Sequence, residues 1–209
     1  MGYFVNLEVF AADAMRLAER AGGRVIIGIV GPPGAGKSTF AEALSERIGE
    51  QACVVPMDGF HLAQLTLEHL NIADRKGCPE TFDVHGYASL LRRIREELSS
   101  TVYAPDFRRS LEEPIAGAIA VSPTASVVLT EGNFLLLEND GWDEISALLD
   151  EVWYLELPDQ LRRERLVDRH RMFGKSEIEA REWVDDVDEA NAILVDLSKH
   201  RATRILTLS

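Results

Sequence analysis

Cysteine is nearly missing from this chain, with only Cys53 and Cys78 among 209 residues. They have neither the spacing of zinc ligands nor the density of a secreted disulfide scaffold, so a reducing compartment, the cytoplasm, is the simplest expectation. Long apolar runs are missing too. The run from Val25 to Val30 is far too short to span a bilayer, and Glu8, Asp13 and Glu19 precede it where a leader would be apolar. No membrane insertion is therefore expected. Basic charge is scarce: 22 Lys and Arg against 35 Asp and Glu leave a formal net charge of -13, the wrong sign for a chain that holds nucleic-acid phosphates. Repeats, low-complexity tracts and linkers are also lacking, so residues 1–209 are expected to form one domain.

What is present, 46% hydrophobic and 27% charged residues, suits a globular core. Leu7, Phe10, Ala14, Leu17, Ala18 and Ala21 recur at helical spacing, which predicts a helix over 6–21 stopped by Gly22-Gly23. Buried strands are expected over 24–30, 52–56, 126–130, 151–157 and 204–208, with helices over 37–48 and 86–98. Residues 159–199 read as helical with a break at Phe173-Gly174. This alternation predicts an α/β fold of three layers, a mostly parallel five-strand sheet covered on both faces, with ligands at the loops that follow the strands. The stretch 101–122 departs from the pattern. Its prolines, and short apolar runs at Val102-Tyr103 and Ile115 to Val121, predict a hairpin, expected to cap the acceptor site.

Gly31-Pro32-Pro33-Gly34-Ala35-Gly36-Lys37-Ser38 matches G-x-x-x-x-G-K-[ST] at every fixed position, after an apolar strand and before a helix. Glycines let the backbone turn its N–H groups inward, and the helix N-terminus adds partial positive charge where phosphates would sit. Lys37 is expected to reach the β- and γ-phosphates of ATP, Ser38 to ligate Mg²⁺, and Thr39 to be a weaker phosphate contact. Asp58 in Met57-Asp58-Gly59-Phe60-His61 and Glu131 in Thr130-Glu131-Gly132-Asn133 both end apolar strands, so the fold aims them at the same edge. An aspartate before glycine is also a common turn residue.

Together these motifs resemble the P-loop kinases related to uridine kinase, phosphoribulokinase and bacterial pantothenate kinase. The nearest likeness is to a bacterial nucleoside/nucleotide-kinase-like subgroup, some members of which are named fructose transport system kinase. The resemblance runs on through Gly77-Cys78-Pro79-Glu80-Thr81-Phe82-Asp83, Glu112-Glu113-Pro114 and Arg162 to Gly174. It implies that Asp58 takes the proton of the acceptor hydroxyl, that Glu131 joins the Mg²⁺ shell, and that Asp83 binds acceptor hydroxyls. It also implies a helical lid over about 159–180, where Arg162, Arg165 and Arg169 share one face. Arg165 and Arg169 are the candidates to stabilise charge in the transition state, although such a helix can equally be a salt-bridged surface. His61, Lys76, Tyr103, Arg108 and Arg109 are further polar candidates for the acceptor, His85 is a candidate helix cap, and Trp183, Asp186 and Asn191 match the subgroup without an assigned role. Uridine kinases carry a second acidic residue and an aromatic pair where this chain has Asp58-Gly59-Phe60-His61, which turns the expectation toward a sugar.

The expected activity is transfer of the γ-phosphoryl group of ATP, with Mg²⁺, to a hydroxyl of a small metabolite, most simply a fructose-like sugar. A nucleoside or pantothenate-like acceptor, an ATP-sensing module without turnover, and a simple NTPase are the alternatives. A homodimer is left open.

Overall fold

The computed structural model describes residues 6–207. In chain order the elements are α1 (Leu7–Ala21), β1 (Val25–Val30), α2 (Lys37–Ile48), β2 (Ala52–Pro56), α3 (Gln64–His69), α4 (Val84–Glu96), β3 (Val102–Arg108), β4 (Glu113–Val121), β5 (Val127–Gly132), α5 (Trp142–Ala147), β6 (Glu151–Glu156), α6 (Asp159–Met172), α7 (Glu177–Trp183), α8 (Glu189–Ser198) and β7 (Arg204–Thr207). All five expected sheet strands form. They lie in the order β2-β5-β1-β6-β7, and every neighbouring pair is parallel. Leu208, expected to end the last strand, lies outside the described residues.

A parallel sheet needs cover on both faces, which is why β1 and residues 127–129 of β5 are apolar without alternation and both strands are buried throughout. Their side chains still alternate between faces. Ile26, Val30 and Val128 pack with Tyr87, Leu91 and Ile94 of α4 and Trp142 of α5. Ile27, Ile29 and Leu129 pack on the other side with Ala14 and Ala18 of α1 and Phe40 and Leu44 of α2. Helix α1 stops where expected, because Gly22 adopts a left-handed φ of 66° and sends its N–H back to Ala18 and Glu19.

Two short helices escaped the sequence reading. α3 and α5 have six residues each, too few for a hydrophobic period to show. Residues 102–121 form the expected hairpin, β3 antiparallel to β4, with a register shift between Ala104 and Asp106. Pro105 stands at that irregularity, where a residue without an N–H costs no ladder bond. The break at Phe173-Gly174 separates α6 from α7, which starts with a capping box between Ser176 and Glu179. Val184–Asp188 is a π-helical turn leading into α8.

Arg24 ties the back of the molecule together. It is 6% exposed, and its guanidinium donates to the carbonyls of Ala125, Ile94 and Ser122, each at 2.7 Å. The start of β1, the end of α4 and the turn before β5 thus share one side chain. Arg24→Met leaves three carbonyls without that donor and is expected to lower stability by about 3 kcal/mol, read as a lower urea midpoint at unchanged slope. An unchanged midpoint would mean that water replaces the guanidinium at no cost.

Candidate active site

The turn from β1 to α2 bends through Gly34 and Gly36, with φ of 82° and 90°. At Gly31 a Cβ would lie 2.6 Å from the carbonyl oxygen of Leu155, so the loop cannot sit against β6 with a larger residue there. Lys37 begins α2 and is 8% exposed. Its Nζ donates to Gly31 O at 2.9 Å, Pro32 O at 3.1 Å and Asn133 Oδ1 at 2.7 Å. Ser38 Oγ donates to Glu131 Oε1 at 3.0 Å. Burial lowers the Lys37 pKa, opposed by the charges of Glu131 and Asp58. Burial likewise raises that of Glu131, and the Asp58 carboxylate adds to the shift. Such a site favours a ligand that brings a cation to the carboxylate and anionic oxygens to the ammonium.

Asp58 lies on the short 3-10 turn Met57–Phe60 after β2. The turn is held against the hairpin, since a Cβ on Gly59 would meet the carbonyl oxygen of Pro105 at 2.5 Å. Asp58 Oδ2 is 3.5 Å from Arg109 Nη2, and Asp58 Oδ1 is 4.0 Å from His61 Nε2. The His61 ring lies between Phe82 and Phe107, at centroid distances of 4.0 and 5.0 Å, and its buried Nδ1 has no partner among the described residues. Burial pulls the His61 pKa down to about 4, Asp58 opposing and Lys76 and Arg109 assisting.

Lys37, Ser38, Asp58, His61, Glu131 and Arg169 open into one cavity of about 910 Å³. A second, of about 560 Å³, shares Gly34, Lys37 and Ser38 with it and is also lined by Leu7, Thr39, Phe40 and Arg165. Arg109 and Arg169 line both. Arg165 overlies the loop, with Nη1 3.6 Å from where a Cβ on Gly36 would be. Its pKa is lowered by burial, and that of Arg169 by burial and by Arg109.

Several expected residues are elsewhere. The Asp83 side chain accepts from the N–H of Gly86 at 2.9 Å through Oδ1 and caps α4, outside the lining of the larger cavity, and the cap expected of His85 is made by Asp83. Tyr103 is 61% exposed, because its neighbours Val102 and Ala104 take the inward side of β3. Arg108 is exposed and pairs with Asp106 at 3.4 Å, while the next residue, Arg109, reaches the cleft. Arg162 is fully buried, its Nη2 2.7 Å from Glu189 Oε2, and braces α6 against α8. Of the residues without an assigned role, Trp183, Asp186 and Asn191 line the larger cavity, and His170 Nε2 meets Asp188 Oδ2 of the π-helical turn there at 2.7 Å. Asn133 is the main omission. Its place two residues beyond Glu131 at a strand end was the signal that could have found it.

No family model matches the chain. A relative from Schizosaccharomyces pombe, described as a candidate uridine kinase, is 34% identical over 184 residues, 83% of this chain and 78% of the relative. The chain belongs to the P-loop kinases. Among solved structures, a candidate fructose transport system kinase from Silicibacter sp. TM1040 superposes on this kinase with a TM-score of 0.88 and 33% identity, covering 97% of this chain and 99% of the other. A pantothenate kinase from Chelativorans sp. is 31% identical over 155 residues, 69% of this kinase and 48% of the relative.

The depressed His61 pKa has a stability consequence. Between pH 6.5 and about 4 the unfolded chain takes up a proton that the native state refuses, so this residue erodes stability as pH falls. His61→Phe, which keeps an aromatic ring between Phe82 and Phe107, is expected to gain about 2 kcal/mol on wild type between pH 7 and pH 5 in urea unfolding. Parallel pH dependence of the two proteins would show that His61 protonates as freely in the native state as in the unfolded chain.

Proposed function

We propose that this P-loop kinase transfers the γ-phosphoryl group of ATP to a hydroxyl of a small metabolite, with a fructose-like sugar as the favoured acceptor. One observation carries the reading: the carboxylate of Asp58 opens into the same cavity as Lys37 and Ser38. Phosphoryl transfer needs positioning, charge neutralisation and one carboxylate beside the nucleophile, whereas a nucleotide switch needs no such carboxylate. In the proposed step the acceptor oxygen forms a bond to the γ-phosphorus, the bond to the bridging oxygen of ADP breaks, and the hydroxyl proton passes to Asp58. Lys37, Arg165 and Arg169 neutralise the oxygens of the transferring group.

The residues at the loop also fit Mg²⁺. Ser38 Oγ and Glu131 Oε1 are hard oxygen donors already in contact, and the buried Glu131 carboxyl is destabilised as an anion without a cation. Among the described residues no cluster of three or more His, Cys, Asp or Glu side chains could hold a metal alone, as suits an ion that keeps waters and phosphate oxygens in its shell. Bound there by Ser38 and Glu131, Mg²⁺ would supply charge neutralisation at the phosphates.

The acceptor preference rests on the wall of rings beside Asp58. His61, Phe82 and Phe107 bring three mutually tilted rings to the cavity, and Asp58 and Lys76 bring polar groups, a combination suited to a sugar ring. The likeness to the Silicibacter protein points the same way. No described helix is long and apolar enough to cross a membrane.

The test is Mg²⁺-dependent ADP release from ATP, with and without fructose, other sugars, pantothenate and ribonucleosides. A sugar is expected to stimulate turnover, and Asp58→Asn to lower kcat by about 10²- to 10⁴-fold with ATP affinity retained. Tight ATP binding that no acceptor converts to turnover would favour a sensing module, acceptor-independent turnover would favour a simple NTPase, and a wild-type kcat in Asp58→Asn would remove the residue from its role.

A further inference from the structure

Arg109 stands at the turn between β3 and β4, outside both the P-loop and the arginine-rich helix α6, yet with Lys37 and Ser38 it lines both cavities at the loop. Its guanidinium lies 3.5 Å from Asp58 Oδ2. The hairpin that carries it is fastened near the tip, where Lys76 Nζ donates to Glu112 O at 2.7 Å and Gln64 N to Glu113 Oε1 at 3.0 Å. At its base the hairpin meets the turn bearing Asp58 through Pro105 and Gly59. The position of Arg109 is thus tied to that of Asp58.

Facing it is Arg169 of α6, whose charge Arg109 disfavours and Asp188, Asp58 and Glu131 favour. Two guanidinium groups that line the same cavities as a loop whose N–H groups and lysine are built for phosphates add their charge to one anion-binding region. A β-phosphate is already served by the loop backbone and Lys37. The outermost phosphate is the one placed toward Asp58, where Arg109 stands.

Building on the kinase reading above, we infer that Arg109 is a ligand of the γ-phosphoryl group, opposite Arg169, and divides its guanidinium between that group and the carboxylate of Asp58. A planar fork with five donors is suited to holding two anionic partners at once. The third phosphate of the nucleotide is then coupled directly to the residue that orients the acceptor. ATP and ADP differ at this contact, so Arg109 also lets the site tell one from the other.

Isothermal titration with ADP and with the non-hydrolysable analogue AMP-PNP, both with Mg²⁺, tests this without knowledge of the acceptor. Arg109→Gln is expected to weaken AMP-PNP about ten-fold while leaving ADP within about two-fold of wild type, and Arg109→Lys is expected to recover part of the loss. Equal weakening of both nucleotides, with a lowered melting temperature, would make Arg109 a structural residue and overturn the inference. Unchanged AMP-PNP affinity would overturn it as well. Wild-type protein that bound neither nucleotide would instead bring down the kinase reading on which the inference rests.

Discussion

Lys37 at the start of α2 and Glu131 at the end of β5 place an ammonium and a carboxylate out of water, and the rest of the cleft is arranged around that pair. Stranding either charge in such a setting costs several kcal/mol, so each needs fixed partners. Asn133 and the carbonyls of Gly31 and Pro32 hold the ammonium, and Ser38 holds the carboxylate. The strand order satisfies this need in space. β2, β5 and β1 are neighbours, so the turn bearing Asp58, the carboxylate of Glu131 and the P-loop leave the sheet side by side although some 75 residues separate Thr130 from its partner carbonyl at Val55.

Much of this was legible in the sequence. β1, β2 and residues 127–129 of β5 are uninterrupted apolar runs, and a polar residue that follows such a run stands toward the strand's C-terminal edge, which is how Asp58 and Glu131 declare themselves. The P-loop is legible for the same reason, since its glycines are useful only between a strand and a helix. The hairpin is where reading stopped. Whether Arg108 or Arg109 faces the cleft depends on the shift around Pro105, and one residue of register reverses every side chain.

Asp83 is ambiguous in another way. A carboxylate three residues before Gly86 can bind an acceptor or cap α4, and only the path of the chain chooses between them. The π-helical turn at 184–188 is likewise a product of tertiary placement. Such a turn leaves no periodic trace, yet it brings Asp188 against His170.

The bracing of α6 has a further consequence. Arg162 and Arg163 bind Glu189 at one end of the helix, at 2.7 and 2.8 Å, and His170 binds Asp188 at the other, at 2.7 Å. Arg165 and Arg169 lie between these fixed points, so their backbone is a strut clamped at both ends. Electrostatic stabilisation is most effective when the charges need not reorganise as the reaction proceeds. For the transfer proposed above, a helix held in this way would deliver its cations from a fixed backbone, so that part of the entropy of ordering them would belong to the folding of the chain instead of to each catalytic cycle.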